Sequence, residues 1–133
     1  MADDRPTGVI ELSLPADARL VRLARLVASG VATAAGFDVE EVEDLRIAVD
    51  ELCGALVEGG NGDSLELRFD LGDQEVAVAG STASSGIEQL DEQRISLSRQ
   101  ILDVVVDSHE VNADDGTIWV RLHKRHIDVP TDG

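Results

Sequence analysis

Cysteine, basic residues and long apolar runs are scarce in this 133-residue chain, and each scarcity excludes something. The lone Cys53 cannot pair within the chain, so no disulfide framework supports the fold, which fits a reducing, cytoplasmic setting. Its place just before Gly54, inside a helical pattern, marks a packed thiol rather than a nucleophile. No stretch approaches the roughly 18 apolar residues of a membrane span, and the opening MADDRPTG has no apolar signal core. Eleven Lys and Arg stand against 27 Asp and Glu, a formal net charge of −16, which makes a nucleic-acid backbone a poor partner. Such a charge suits a basic protein surface and equally serves solubility alone. No P-loop, nucleophile elbow or Cys/His cluster occurs. His109, His123 and His126 share no ligand spacing, so no metal site is expected, and the last two read as exposed around Lys124-Arg125.

The length suits one domain able to bury a core, by the usual ~100–200 residues per domain. Val9 to Leu14 alternates apolar and polar and stops at Pro15, as a half-buried strand does. From Ala16 to Ala35 apolar positions recur at three and four until Gly36, a first helix. Asp38 with Glu41 three residues on is a capping-box pattern, so a second helix starts near Val39 and ends in Gly59-Gly60. Residues 65–69 and 75–79 alternate around a turn at 71–74 and predict an antiparallel hairpin. The small polar stretch 80–93 reads as the longest loop, of the kind that is functional or disordered. A third helix follows over 94–106, then a second hairpin from segments near 108–111 and 117–122. Residues 1–8 read as a disordered N-terminus, 9–125 as the domain and 126–133 as a flexible tail. The order β-α-α-β-β-α-β-β predicts an α/β two-layer sandwich with helices on one face of a mixed, mostly antiparallel sheet.

The second helix is the most informative segment. Leu45, Val49, Leu52 and Leu56 share one narrow stripe and face a core, while Asp44, Ala48, Glu51, Ala55 and Glu58 lie on a flank about 100° away. That flank is either a site or a wet, charged face. The single Trp119, on an alternating strand, reads as a core or sheet-face residue before it reads as a binding hot spot.

The phrase Asp44-Leu45-Arg46-Ile47-Ala48-Val49-Asp50-Glu51-Leu52-Cys53, with the order of elements, resembles the RsbW-type anti-sigma factors, small serine-protein kinases of the GHKL ATPase superfamily. The likeness runs from about Val9 to Arg125 and is nearest to actinobacterial stress-response members. It implies the GHKL (Bergerat-like) sandwich. In that family the second helix carries Glu-x-x-x-Asn, the glutamate as general base and the asparagine as magnesium ligand. Glu51 stands at the base position and Ala55 at that of the asparagine. An alanine methyl offers no oxygen to a cation that demands octahedral oxygen ligation. The family's Asp-x-Gly-x-Gly falls on Gly80-Ser81-Thr82-Ala83-Ser84, without the acid that reads adenine. Its phosphate-side Gly-Leu-Gly-Leu falls on Ser96-Leu97-Ser98-Arg99, with both glycines replaced. Asp115-Gly116-Thr117 matches a late-strand threonine motif and equally an ordinary hairpin turn.

The resemblance therefore implies an anti-sigma factor that sequesters a sigma factor and is countered by a STAS-type anti-anti-sigma protein, as a homodimer. ATP and magnesium are the family's cofactors, and the replaced positions predict that both bind weakly or not at all. Glu51 then reads as a solvated helix-face acid before it reads as a residual catalyst. An active ATP-dependent serine kinase acting on its STAS antagonist, and an orphan adaptor of the same fold, are the competing expectations.

Overall fold

A computed structural model of the chain describes residues 5–60, 63–83 and 92–128. Its elements are β1 (Gly8–Pro15), a 3-10 turn (Ala18–Leu20), α1 (Val21–Ala34), α2 (Val39–Gly59), β2 (Ser64–Gly72), β3 (Glu75–Ala83), α3 (Glu92–Val105), β4 (Ser108–Asp114) and β5 (Thr117–Arg125). The strands form one sheet in the order β1-β2-β3-β5-β4, and every neighbouring pair is antiparallel. This corrects the expected mixed sheet. β3 and β4, joined through α3, do run the same way, but β5 inserts between them, so no parallel pair forms.

Three differences from the sequence reading have local causes. The first helix does not begin at Ala16: the Asp17 carboxylate accepts the Arg19 N–H at 2.9 Å and winds a 3-10 turn before α1 starts. The Arg19 side chain closes on the same carboxylate and holds its pKa down to about 2. β3 continues through Ala83, because Gly80 to Ala83 pair with Val120 to Thr117. The expected loop at 80–93 is therefore strand over its first four residues and helix from Glu92, and its remainder, 84–91, lies outside the described residues. Lastly, β5 reaches Arg125, and His126 donates its backbone N–H to the Gln74 carbonyl at 2.8 Å. Of the expected tail, 126–128 is described and 129–133 lies outside, as do residues 1–4 of the expected disordered N-terminus.

The capping box is present as read: Glu41 N–H donates to Asp38 at 2.8 Å, and Asp38 N–H donates to Glu41 at 2.9 Å. Inward positions of β2 (65, 67, 69, 71), β3 (76, 78) and β5 (118, 120, 122) join Leu45, Val49, Leu52 and Leu56 of α2 in one buried cluster. α2 sits at the centre of the helical layer, packing on α1, α3 and the sheet. Asp115 and Gly116 both take positive φ, as the two-residue β4–β5 turn requires.

Candidate functional site

The middle of α2 brings most of the sequence-predicted site residues together. The flank of Asp44, Ala48, Glu51, Ala55 and Glu58 is wet only in part: Glu58 is exposed, while Asp44, Glu51 and Ala55 are half-buried. Ala48 is fully buried, and Asp44 and Glu51 both meet α3 or its surroundings. Ser98, itself buried on α3, donates its hydroxyl to Glu51 Oε1 at 2.9 Å. Two turns away Asp44 lies 3.6 Å from Lys124 Nζ, which also donates to the Val105 carbonyl at the end of α3 at 2.9 Å. Lys124, the chain's single lysine, is buried to 9% exposure. It continues the inward alternation 118, 120, 122 of β5, the signal by which the sequence could have revealed it.

Gly80 lies against this region for a packing reason. A Cβ there would stand 2.5 Å from Leu52 Cδ2, 2.9 Å from Leu67 Cδ2 and 3.0 Å from Leu56 Cδ1, so α2 rests directly on the strand backbone. Thr82 is buried and donates to the Ser64 carbonyl at 2.8 Å, tying β3 to the start of β2. Ala55 is half-buried one turn beyond Glu51. Two predicted positions stay outside the group. Ser96 is exposed on α3, and Thr117 opens β5 beside the hairpin turn, opposite Ala83 and Asp114. Cys53 is buried, and that burial, with Asp50 nearby, pushes its thiol up to about 12. Such a thiol is inert at neutral pH.

A second polar cluster lies at the N-terminal end of α2. Glu41, already the capping-box partner, also takes the His126 ring Nδ1 on Oε1 and the Ile127 N–H on Oε2 at 2.9 Å. Burial pushes the Glu41 carboxyl up, but the Asp38 N–H, the His126 ring and the Ile127 N–H outweigh it and hold the group below its ordinary value. His126 is raised, chiefly by Glu41, with Asp128 at 2.8 Å from Nε2 adding to it against the burial. Both ring nitrogens thus face carboxylate oxygens, which suits the imidazolium. His126 is enclosed rather than exposed, which corrects the sequence reading: its partner stands 85 positions away, beyond any local pattern. Asp38, Glu41 and His126 have donor atoms within 4.8 Å of one another, yet the contacts described engage each of them with the others or with backbone. The arrangement is a clasp between α2 and the chain after β5.

The sheet face opposite the helices carries Trp119, half-buried, with the Arg121 guanidinium 4.3 Å above its ring. A cavity of about 540 Å³ opens there between Glu66 and Arg68 of β2, Ala79 and Ser81 of β3, and this pair. It lies across the sheet from Glu51.

With this geometry in view, the chain's likenesses are specific. Residues 14–96 match the family model described as the histidine kinase-like ATPase domain. The chain is 30% identical to the serine-protein kinase RsbW of Bacillus pumilus, over 81% of the chain and 80% of that protein. It is 27% identical to the serine-protein kinase RsbW of Bacillus cereus, over 93% and 90%. Among solved structures it superposes on the crystal structure of the RsbU and RsbW domains of Rv1364c from Mycobacterium tuberculosis, with a TM-score of 0.70 at 19% identity. That match covers 90% of this chain and 32% of the other.

Proposed function

The chain belongs to the histidine kinase-like ATPase domain family, on its RsbW side, and from that membership we propose that it acts as an anti-sigma factor through protein binding, with nucleotide chemistry weak or lost. The observation that carries the reading is the α2–α3 contact. The acid at the family's base position is engaged by a serine of its own chain, and Ala55 offers no oxygen where magnesium would be held. Gly80 supports it further. The space where the family's adenine-reading acid would project is filled by Leu52, Leu56 and Leu67. These residues do not fit a magnesium-nucleotide.

The partners follow from the same reading: a sigma factor held in the inactive state, a STAS-type antagonist that competes for it, and a second copy of the chain. α1 offers a surface of this kind, with Leu23 and Leu26 exposed beside Arg22. No helix among the described residues is long and apolar enough to cross a membrane, which accords with a cytoplasmic regulator. The deciding experiment is affinity purification of the tagged chain from its native host. Recovery of a sigma factor, displaced by a STAS protein, is the expected outcome. Recovery of neither overturns it and favours an adaptor of the same fold. Calorimetry with magnesium-ATP checks the other half: micromolar affinity sinks the nucleotide-poor reading.

One observation favours the active serine kinase as second reading. A carboxylate, Glu51, still stands at the family's general-base position on α2. Labelled phosphate transfer to a STAS partner that disappears in Glu51→Ala decides for it.

A further inference from the structure

The sheet has two free edges, and they differ. β4 ends one side, and the segment 107–115 that contains it carries Asp107, Glu110, Asp114 and Asp115 with no lysine or arginine. Charge along an edge is a common defence against a stray strand. β1 ends the other side, and its single charge is Glu11. Val9 and Ile10 stand 47% and 40% exposed on it, one on each face of the sheet. Ile10 belongs to the helix-side row with Leu12 and Leu14, yet α1 packs on β2 and β3 and leaves it open. Among the described residues no strand lies beyond β1.

The charge map points the same way. Two copies of a chain with a net charge of −16 repel each other, so they meet most readily where acids are few. Residues 8–36, which make up β1, α1 and their link, hold two acids against three arginines. The strand also complements itself. A two-fold axis through Leu12, normal to the sheet, sets Ile10 opposite Leu14 of the second copy, Leu12 opposite Leu12 and Glu11 opposite Ser13. Helix-side residues then pair with helix-side residues, and no like charges meet. Moving the axis to Glu11 would set the two glutamates against each other. Pro15, without an N–H, closes the ladder opposite Val9. We propose that β1 is the self-association edge of this protein: a second copy adds its own β1 antiparallel through Leu12, and the two five-stranded sheets become one continuous sheet. The second copy is a partner of the proposed function, on which this inference rests; the edge it uses follows from the strand and charge pattern.

Sedimentation equilibrium on the full chain tests this, with Ile10→Lys on the β1 edge and Asn112→Lys, an exposed position of β4, as its control. Wild type and Asn112→Lys should sediment as dimers. Ile10→Lys should associate roughly 100-fold more weakly, since each copy presses a charge against Leu14 of the other. Far-UV circular dichroism should be the same for all three. Leu12→Cys reads the register: the two-fold sets the introduced thiols opposite each other, within disulfide reach, so mild oxidation should link the dimer. Val9→Cys, far from its own copy in this register, should not link. Cys53, buried and with its thiol pushed up to about 12, adds no background. If Ile10→Lys loses its circular dichroism, Leu12→Cys against Val9→Cys decides alone. A monomeric wild type overturns the proposal together with the second copy of the proposed function, and leaves the edge to a strand of another protein. A dimer that a folded Ile10→Lys leaves intact, or that Leu12→Cys does not link, overturns the edge alone while the second copy stands.

Discussion

α2 carries Glu41 in its first turn and Glu51 at its middle, and the two are held differently. Glu41 accepts backbone N–H groups from Asp38 and Ile127 and a ring nitrogen from His126, at three points of the chain. Glu51 accepts from a side-chain hydroxyl on the helix opposite. A carboxylate tied mainly to backbone cannot let go without unravelling a helix start and a strand end. The same residue type on the same helix therefore ties backbone segments together in the first turn and meets the neighbouring helix through a side chain at the middle.

Restoring the family's acid at position 80 is the harshest way to break this comparison. Gly80→Asp pushes a charged side chain against Leu52, Leu56 and Leu67, each buried. Overpacking and an unpaired buried charge together should cost roughly 3 kcal/mol or more. Urea denaturation measures it. A variant with wild-type stability that also binds magnesium-ATP would show that the region around Glu51 adapts to a nucleotide.

Next in size is Glu41→Ala, which removes the capping-box return and both contacts to the chain after β5. About 2 kcal/mol should be lost. Glu41→Gln keeps an acceptor oxygen and should recover part of it. If the urea midpoint of Glu41→Ala matches that of wild type, the N-terminal end of α2 is not the framework it looks to be.

The contrast between local and distant partners also decides what the sequence could tell. Asp38-x-x-Glu41 is a contact three residues long, and it was legible in full, as were the core stripe of Leu45, Val49, Leu52 and Leu56 and the turn at Asp115-Gly116. The wheel also placed Asp44 and Glu51 on one flank. It could not say what covers that flank, because Ser98 and Lys124 come from 47 and 80 positions further on. Ser81 and Thr82 read as loop because small polar residues carry no period, whereas backbone pairing to β5 and a glycine beneath α2 make them strand. Glu51, Ala55, Gly80, Thr82 and Ser98 were found by resemblance and do gather around α2. Ser96 and Thr117, singled out in the same way, do not.

A pH series sharpens the comparison without touching the packing. His126 has its folded pKa raised above 6.5, so its contribution to stability is complete below 6.5 and fades as pH climbs through the raised value. Glu41, lowered from 4.5, contributes above 4.5 and is lost as pH falls through its depressed value. The clasp is therefore strongest between the two, on the mildly acidic side of neutrality. From about pH 6 to about pH 9 wild type should lose more stability than His126→Gln. Parallel pH profiles for the two proteins would remove the imidazolium from the clasp.

The mildest variant is the one aimed at chemistry. Ala55→Asn returns the family's magnesium ligand to a half-buried helix position, and the lower helix propensity of asparagine should cost only roughly 0.5 kcal/mol. Its melting temperature should hardly move. Magnesium-ATP should still give no measurable heat in calorimetry, because Glu51 remains engaged by Ser98 and Gly80 offers no acid. Pairing Ala55→Asn with Ser98→Gly is the informative step. Affinity that appears in the pair and in neither single variant would be non-additive, the mark of two positions acting on one site. Affinity already present in Ala55→Asn, and absent from wild type, would mean that one added oxygen is enough for a nucleotide site here while Glu51 stays bonded to Ser98.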